Sequence, residues 1–195
     1  MIRLLMISFV LAFTGGALQA EEIPNPLYSN WAKFKPGTSV TQKNVVDAPG
    51  FKTETELTYE LVKVTDTNLT LKYSTKMTFN GQAVTTPPQE IVHTKMVTKH
   101  PSTAASQDQD YTSEKDPDET LTIGDKKVTC KVSRSTSKMA GIQSSTKVWM
   151  SDDVPGQTLK MESTVDQGPA GKTVSTLETI RSTSNRLILG PSSGL

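Results

Sequence analysis

From Val40 onward the apolar residues of this chain recur at every second position, the spacing of a strand whose two faces meet different surroundings. The clearest run lies at 69–77, where Leu69, Leu71, Tyr73 and Met77 share one face and Thr70, Lys72, Ser74 and Lys76 the other. Just before it, 53–64 carries Leu57, Tyr59 and Leu61 in one phase, then Val62 and Val64 in the opposite one. That change of phase predicts a bulge, or a strand buried on both sides, near Leu61. Asn80-Gly81 is a hairpin signal because both residues tolerate positive φ, and Pro87-Pro88 delays the next strand to about 89–99. A Gly124-Asp125 turn joins 120–123 to 127–133, whose inward row is Val128, Cys130 and Val132. Strands at 145–150 and 157–164 enclose Ser151-Asp152-Asp153-Val154-Pro155-Gly156, and a last strand falls near 173–183. About eight or nine strands on mostly short connections predict one antiparallel, strongly curved sheet, half-barrel or sandwich-like. Strand-helix-strand alternation is missing, which argues against a doubly wound fold.

Three stretches break the pattern. At 25–37, Asn25 can cap, Pro26 suits the first helical turn and Pro36-Gly37 stops the element, so a short helix is expected. Its Leu27, Trp31 and Phe34 stand at i, i+4 and i+7, an apolar face that has to dock, most simply as a plug on the β-core. The stretch 100–119 has almost no apolar residues and no period, which predicts a long exposed loop. Residues 1–20 combine Arg3, an apolar run too short to span a bilayer and a small-residue exit before Glu21-Glu22, the pattern of a cleaved secretory signal. The expected organisation is a signal peptide at 1–20 and one β-rich domain at 21–195, with a loose tail at 190–195. The destination is the periplasm or the extracellular space.

Composition sharpens this. Threonine supplies 28 of the 195 residues, and its branched side chain favours strands. Without the leader, 20 basic residues balance 20 acidic ones, which argues against nucleic acid or an anionic membrane surface as a partner; no stable membrane insertion is expected. The single Cys130 can form no internal disulfide, so the core alone must hold the fold.

Candidate chemistry is sparse. His93 and His100 have no partners at metal-ligand spacing, and a Cys130–His93 pair is less natural than an inert core thiol. Asp108, Asp110, Asp116, Asp118 and Glu119 could attract calcium, although Ser113 stands where a calcium loop needs glycine. Glu60, Glu90 and Glu178 could converge only in space. We therefore expect no enzyme, no metal and no cofactor. Methionine is flexible and polarisable, so Met77, Met150 and Met161, with Tyr73 and Trp149, are the candidate residues of an apolar ligand groove. Strict alternation keeps Trp149 and Met150 apart unless a bulge intervenes.

The hairpin from Thr146-Lys147-Val148-Trp149-Met150 through Asp152-Asp153-Val154-Pro155-Gly156 to Lys160-Met161-Glu162 resembles one found in uncharacterised exported bacterial β-proteins, as does the opening Asn25-Pro26-Leu27-Tyr28-Ser29-Asn30-Trp31. More loosely, it is similar to the hairpin of periplasmic lipoprotein-carrier (Lol-type) half-barrels. That resemblance implies a curved sheet around a helix with a groove for acyl chains. The expected function is an exported, non-catalytic binding protein for a hydrophobic or lipid-like ligand. The alternative is a cell-envelope interaction module that meets a protein or glycan and binds no small molecule.

Overall fold

The computed structural model describes residues 21–79, 81–99, 110–139 and 141–183. The leader, Asn80, positions 100–109 of the polar stretch and the tail at 190–195 lie outside the described residues. The elements run β1 (Glu22–Pro24), α1 (Pro26–Trp31), β2 (Ser39–Ala48), β3 (Phe51–Val64), β4 (Asn68–Phe79), β5 (Gln82–Thr85), β6 (Gln89–Thr94), β7 (Met96–Thr98), β8 (Asp110–Ile123), β9 (Lys126–Met139), β10 (Ile142–Met150), β11 (Thr158–Asp166) and β12 (Lys172–Thr183).

Ten strands form one antiparallel sheet in the order β5-β4-β3-β2-β12-β11-β10-β9-β8, with β6 on the same edge of β4 as β5. β1 and β7 form a separate two-stranded sheet. The expectation of a single sheet of eight or nine strands is thus corrected to twelve described strands in two sheets. Strands of three residues are too short to show a period, and Pro87-Pro88 splits one edge rung into β5 and β6. The expected strand at 89–99 also breaks. At Lys95 the backbone bonds to Thr67 and Asn25, handing the chain from β4 to β1.

The second correction concerns the polar stretch. From Asp110 it is strand, paired with β9 over nearly its whole length. An edge strand needs only backbone partners, so it can be polar on both faces and still pair. Pro117, which has no N–H, sits in the bulge between Asp116 and Glu119, where no ladder bond is required. A bulge also occurs between Leu61 and Lys63, where the phase change placed it.

The sheet curls. Three strands separate β8 from β12, about 19 Å in a flat sheet, yet their Cα atoms approach within 8 Å. The two edges of the sheet stay unpaired with each other. The core fills the curled end: Trp31 from α1 and Phe34, which lies three residues past the helix end and not on the helical face expected of it, pack with Val40, Leu61, Leu69, Leu71, Cys130, Val132, Trp149 and Leu159. Burial pushes the Cys130 thiol above its ordinary value, consistent with a packing role.

Candidate functional site

The site begins with the N-cap. Asn25 accepts a hydrogen bond from the Leu27 N–H through its side-chain oxygen (3.0 Å), and its amide donates to the Thr94 carbonyl (2.8 Å), so the start of α1 is tied to β6. Tyr28 is buried and its hydroxyl donates to the Thr65 carbonyl (2.6 Å). Trp31 and Phe34 enter the core, while Leu27 stays one-third exposed at 36%. The turn between β10 and β11 closes over the helix. The Gly156 N–H donates to Asn30 Oδ1 (2.6 Å), and Lys33 Nζ meets Asp152 Oδ1 at 3.1 Å. Gly156 (φ 80°) and Gln157 (φ 63°) are both left-handed, and Gln157 is the one non-glycine in that region among the described residues.

Beneath α1 these elements leave a groove of about 290 Å³, at the small end of the range for ligand pockets. α1 supplies Leu27 and Trp31, the sheet supplies Val40, Gln42, Tyr59, Leu71, Met161 and Leu177, and the turn supplies Gly156 with Thr158 at its end. Among the described residues no charged side chain lines it. Its polar groups are already engaged or neutral. Gln42 Nε2 and Thr179 Oγ1 donate to the Thr158 carbonyl at 3.1 and 2.9 Å, beyond the last β11–β12 rung at Lys160 and Glu178. Burial, then the neighbouring Tyr73, raises the Tyr59 hydroxyl above its ordinary value and keeps it protonated.

Of the five candidate groove residues, Met161 lines this groove. Tyr73 stands opposite Tyr59 on the same face, its hydroxyl bonded to Gln89. Met77 shares that face through the cross-strand row Met77, Thr55, Asn44, Leu177, Met161, but is exposed and far out along the sheet. Met150 lines a second cavity of about 620 Å³. Trp149 is on the opposite face from Met161, because it pairs with Lys160 while Met161 pairs with Val148. The register shift between Trp149 and Met150 does not turn the indole round.

The indole has its own surroundings. Trp149 is 4% exposed, its Nε1 donates to Glu119 Oε2 (2.7 Å), and the Lys147 and Lys160 ammonium groups stand 4.6 and 4.9 Å from the ring centroid. Lys147 also donates to Glu119 Oε1 (2.8 Å). The hydrogen bonds from Lys147 and Trp149 hold the Glu119 carboxyl below its ordinary value, against the opposing effect of burial. Edge strand β8 is thereby fastened across β9 to β10. Val40, Gln42 and Leu177 escaped the sequence reading, although Leu177 stands in a period-two row that could have flagged it.

The remaining candidates stay apart. Six strands separate Cys130 on β9 from His93 on β6 in the sheet order. Glu60 and Glu90 flank Lys72, and Glu178 lies between Lys160 and Lys43. Among the described residues no three His, Cys, Asp or Glu side chains are placed to hold a metal ion. A third cavity, about 490 Å³, is bordered by Ile123, Val128, Val154 and Ser182.

These features define a protein class by architecture: an open, curled antiparallel sheet with a helix and a clasping turn over one end. No helix among the described residues is long and apolar enough to cross a membrane. No protein-family model matches the chain, and no curated protein matches it as a relative. Among solved structures, the chain is similar to a candidate exported protein with YmcC-like fold from Bacteroides fragilis NCTC 9343, with TM-score 0.44, 9% identity, and 77% of this chain and 97% of that one covered. A candidate lipoprotein from Parabacteroides distasonis ATCC 8503 has TM-score 0.43 and 10% identity, with 76% and 96% covered.

Proposed function

We propose that the chain is an exported, non-catalytic binding protein that takes the apolar part of a small ligand in the groove beneath α1. One observation carries this reading: a preformed groove between helix and sheet, free of charged lining residues among those described and open past a partly exposed Leu27. Burial of apolar ligand surface there is favourable by about 25 cal/mol per Å² before the cost of association. The leader pattern at 1–20 supports export, and the resemblance to lipoprotein-carrier hairpins suggests a lipid-like ligand.

The test is native mass spectrometry of the chain from Glu21, followed by organic extraction. A stoichiometric lipid that is lost in Leu177→Trp, a substitution that fills the groove, is the expected result. A clean apo mass with no uptake of acyl probes would sink the reading. A second reading, an envelope interaction module, has one observation in its favour: Val84, Val92, Ile91 and Phe79 are exposed around the β5–β6 edge. Pull-down of an envelope protein that is lost on Val92→Lys, with no lipid bound, would favour it.

A further inference from the structure

The floor of the groove does not end at α1. Gln42, Tyr59, Met161 and Leu177 share one face of β2, β3, β11 and β12, and alternation carries that face on along the same strands to Asn44, Leu57, Ser163 and Ser175, about 7 Å further out. The face is uncharged. Among the described residues, the cross-strand row Thr53, Val46, Ser175, Ser163, Thr146, Ser135 holds no charged side chain from β3 to β9, nor does its neighbour Thr55, Asn44, Leu177, Met161, Val148, Ser133. The charges stand on the opposite face, in rows such as Glu54, Val45, Thr176, Glu162, Lys147, Arg134, where Lys43–Glu54 and Lys160–Glu162 pair at 2.7 Å.

Burial alone would favour apolar residues on the groove side. Instead hydroxyl and amide groups are interspersed with apolar ones, and Met77 and Phe79, at the β4 end of the two rows, are 45% and 48% exposed. Ser175 donates to Asn44 Oδ1 (3.2 Å), which leaves the Asn44 amide hydrogens for a ligand. A charged head group on this face would lose water and meet no opposite charge. A wholly apolar ligand would leave the hydroxyls and the amide unpaired. An uncharged head with several hydroxyls both donates and accepts, and satisfies them.

We propose that the ligand is an amphiphile with an uncharged, polyhydroxylated head of the glycoside class, its chain beneath α1 and its head on the face around Asn44, Thr55 and Ser175. This rests on the apolar-binding reading and adds the class of head group. Groove and head site need no passage between them, because they are successive positions of the same strands.

The experiment is calorimetric titration of the chain from Glu21 with three ligands of one chain length, decyl maltoside, decyltrimethylammonium and decyl sulfate, all below their micellar concentrations, and with maltose alone. The maltoside is expected to bind about tenfold more tightly than either ionic ligand, and maltose far more weakly. Asn44→Asp keeps the acceptor for Ser175 but puts a carboxylate on the face, so it should weaken the maltoside, strengthen the ammonium ligand and close the gap between them. Thr55→Val, similar in shape, should cost the maltoside about fivefold. Leu177→Trp should abolish binding of all three amphiphiles, with Leu27→Glu as a second groove variant if Leu177→Trp unfolds by circular dichroism. Ionic ligands that bind as tightly as the maltoside, all lost on groove filling, would overturn the head-group assignment and leave the apolar-binding reading standing. Maltoside affinity untouched by Asn44→Asp and Thr55→Val would overturn it too, as would maltose binding as tightly as the maltoside. Failure of every amphiphile to bind, or binding that survives both groove variants, would overturn both readings.

Discussion

The two ends of the sheet are built differently. At the α1 end, strands from both halves of the chain bring Val40, Leu61, Leu69, Leu71, Val132 and Trp149 into one core, and Phe34 is fully buried. At the far end, where β2–β3, β4–β5, β9–β10 and β11–β12 turn back, Phe51, Phe79, Met139 and Ile142 are all close to half exposed. The middle of the sheet is held by hydroxyl pairs across strands, such as Thr41 with Thr58 and Thr146 with Ser163. Backbone pairing continues over the whole length of the strands, but apolar burial does not. A sheet can thus be regular throughout while its stability and its cavities concentrate at one end, because the hydrophobic effect follows area removed from water and not strand length.

The sharpest test of this contrast exchanges the same side chain at the two ends. Phe34→Ala should cost about 3–5 kcal/mol in equilibrium denaturation, whereas Phe79→Ala, 48% exposed, should stay within about 0.5 kcal/mol. Comparable losses at both ends would dissolve the comparison. Next in size, Trp149→Ala should cost about 3 kcal/mol and leave chain binding unchanged, since the indole stands on the face away from Met161. Loss of ligand with little loss of stability would return Trp149 to the groove.

One far-end position should break the rule. Gly171 has φ 97°, and a β-carbon there would lie 2.7 Å from Pro49 Cγ, so Gly171→Ala should destabilise by about 1–2 kcal/mol although both turns lie away from the core. A neutral result in thermal melts would mean that the two turns separate freely.

The smallest effect concerns pH. Glu119 has a lowered folded value, so its contribution is present above the unfolded carboxylate range near 4.5 and is lost as pH falls through the folded value. Glu119→Gln should therefore melt earlier than the parent at pH 7, and the difference should close in acid below pH 4.5. A gap that persists unchanged at low pH would show that the carboxylate charge is not what fastens β8.

Much of the α1 end was legible in the residues. Asn25 caps, Pro26 opens the helix, Trp31 and Phe34 dock, and the phase change after Leu61 marks a bulge. Each of these depends on neighbours within a few positions. The strand at 110–123 was not legible, because pairing with β9 uses the backbone and leaves its polar side chains without a period. Nor was the face of Trp149, since the register of β10 on β11 settles it.

The sequence by itself determined the strands with a buried row, the short helix and the glycine turns, all consequences of local sterics and side-chain alternation. Tertiary structure decided which rows face one another, that the polar edge joins the sheet, and that six elements and one turn enclose a groove. The groove and the joining of β2 to β12 depend on contacts between residues more than a hundred positions apart, such as Asn30 with Gly156 and Asp47 with Val174, and only chain pairing in space selects them.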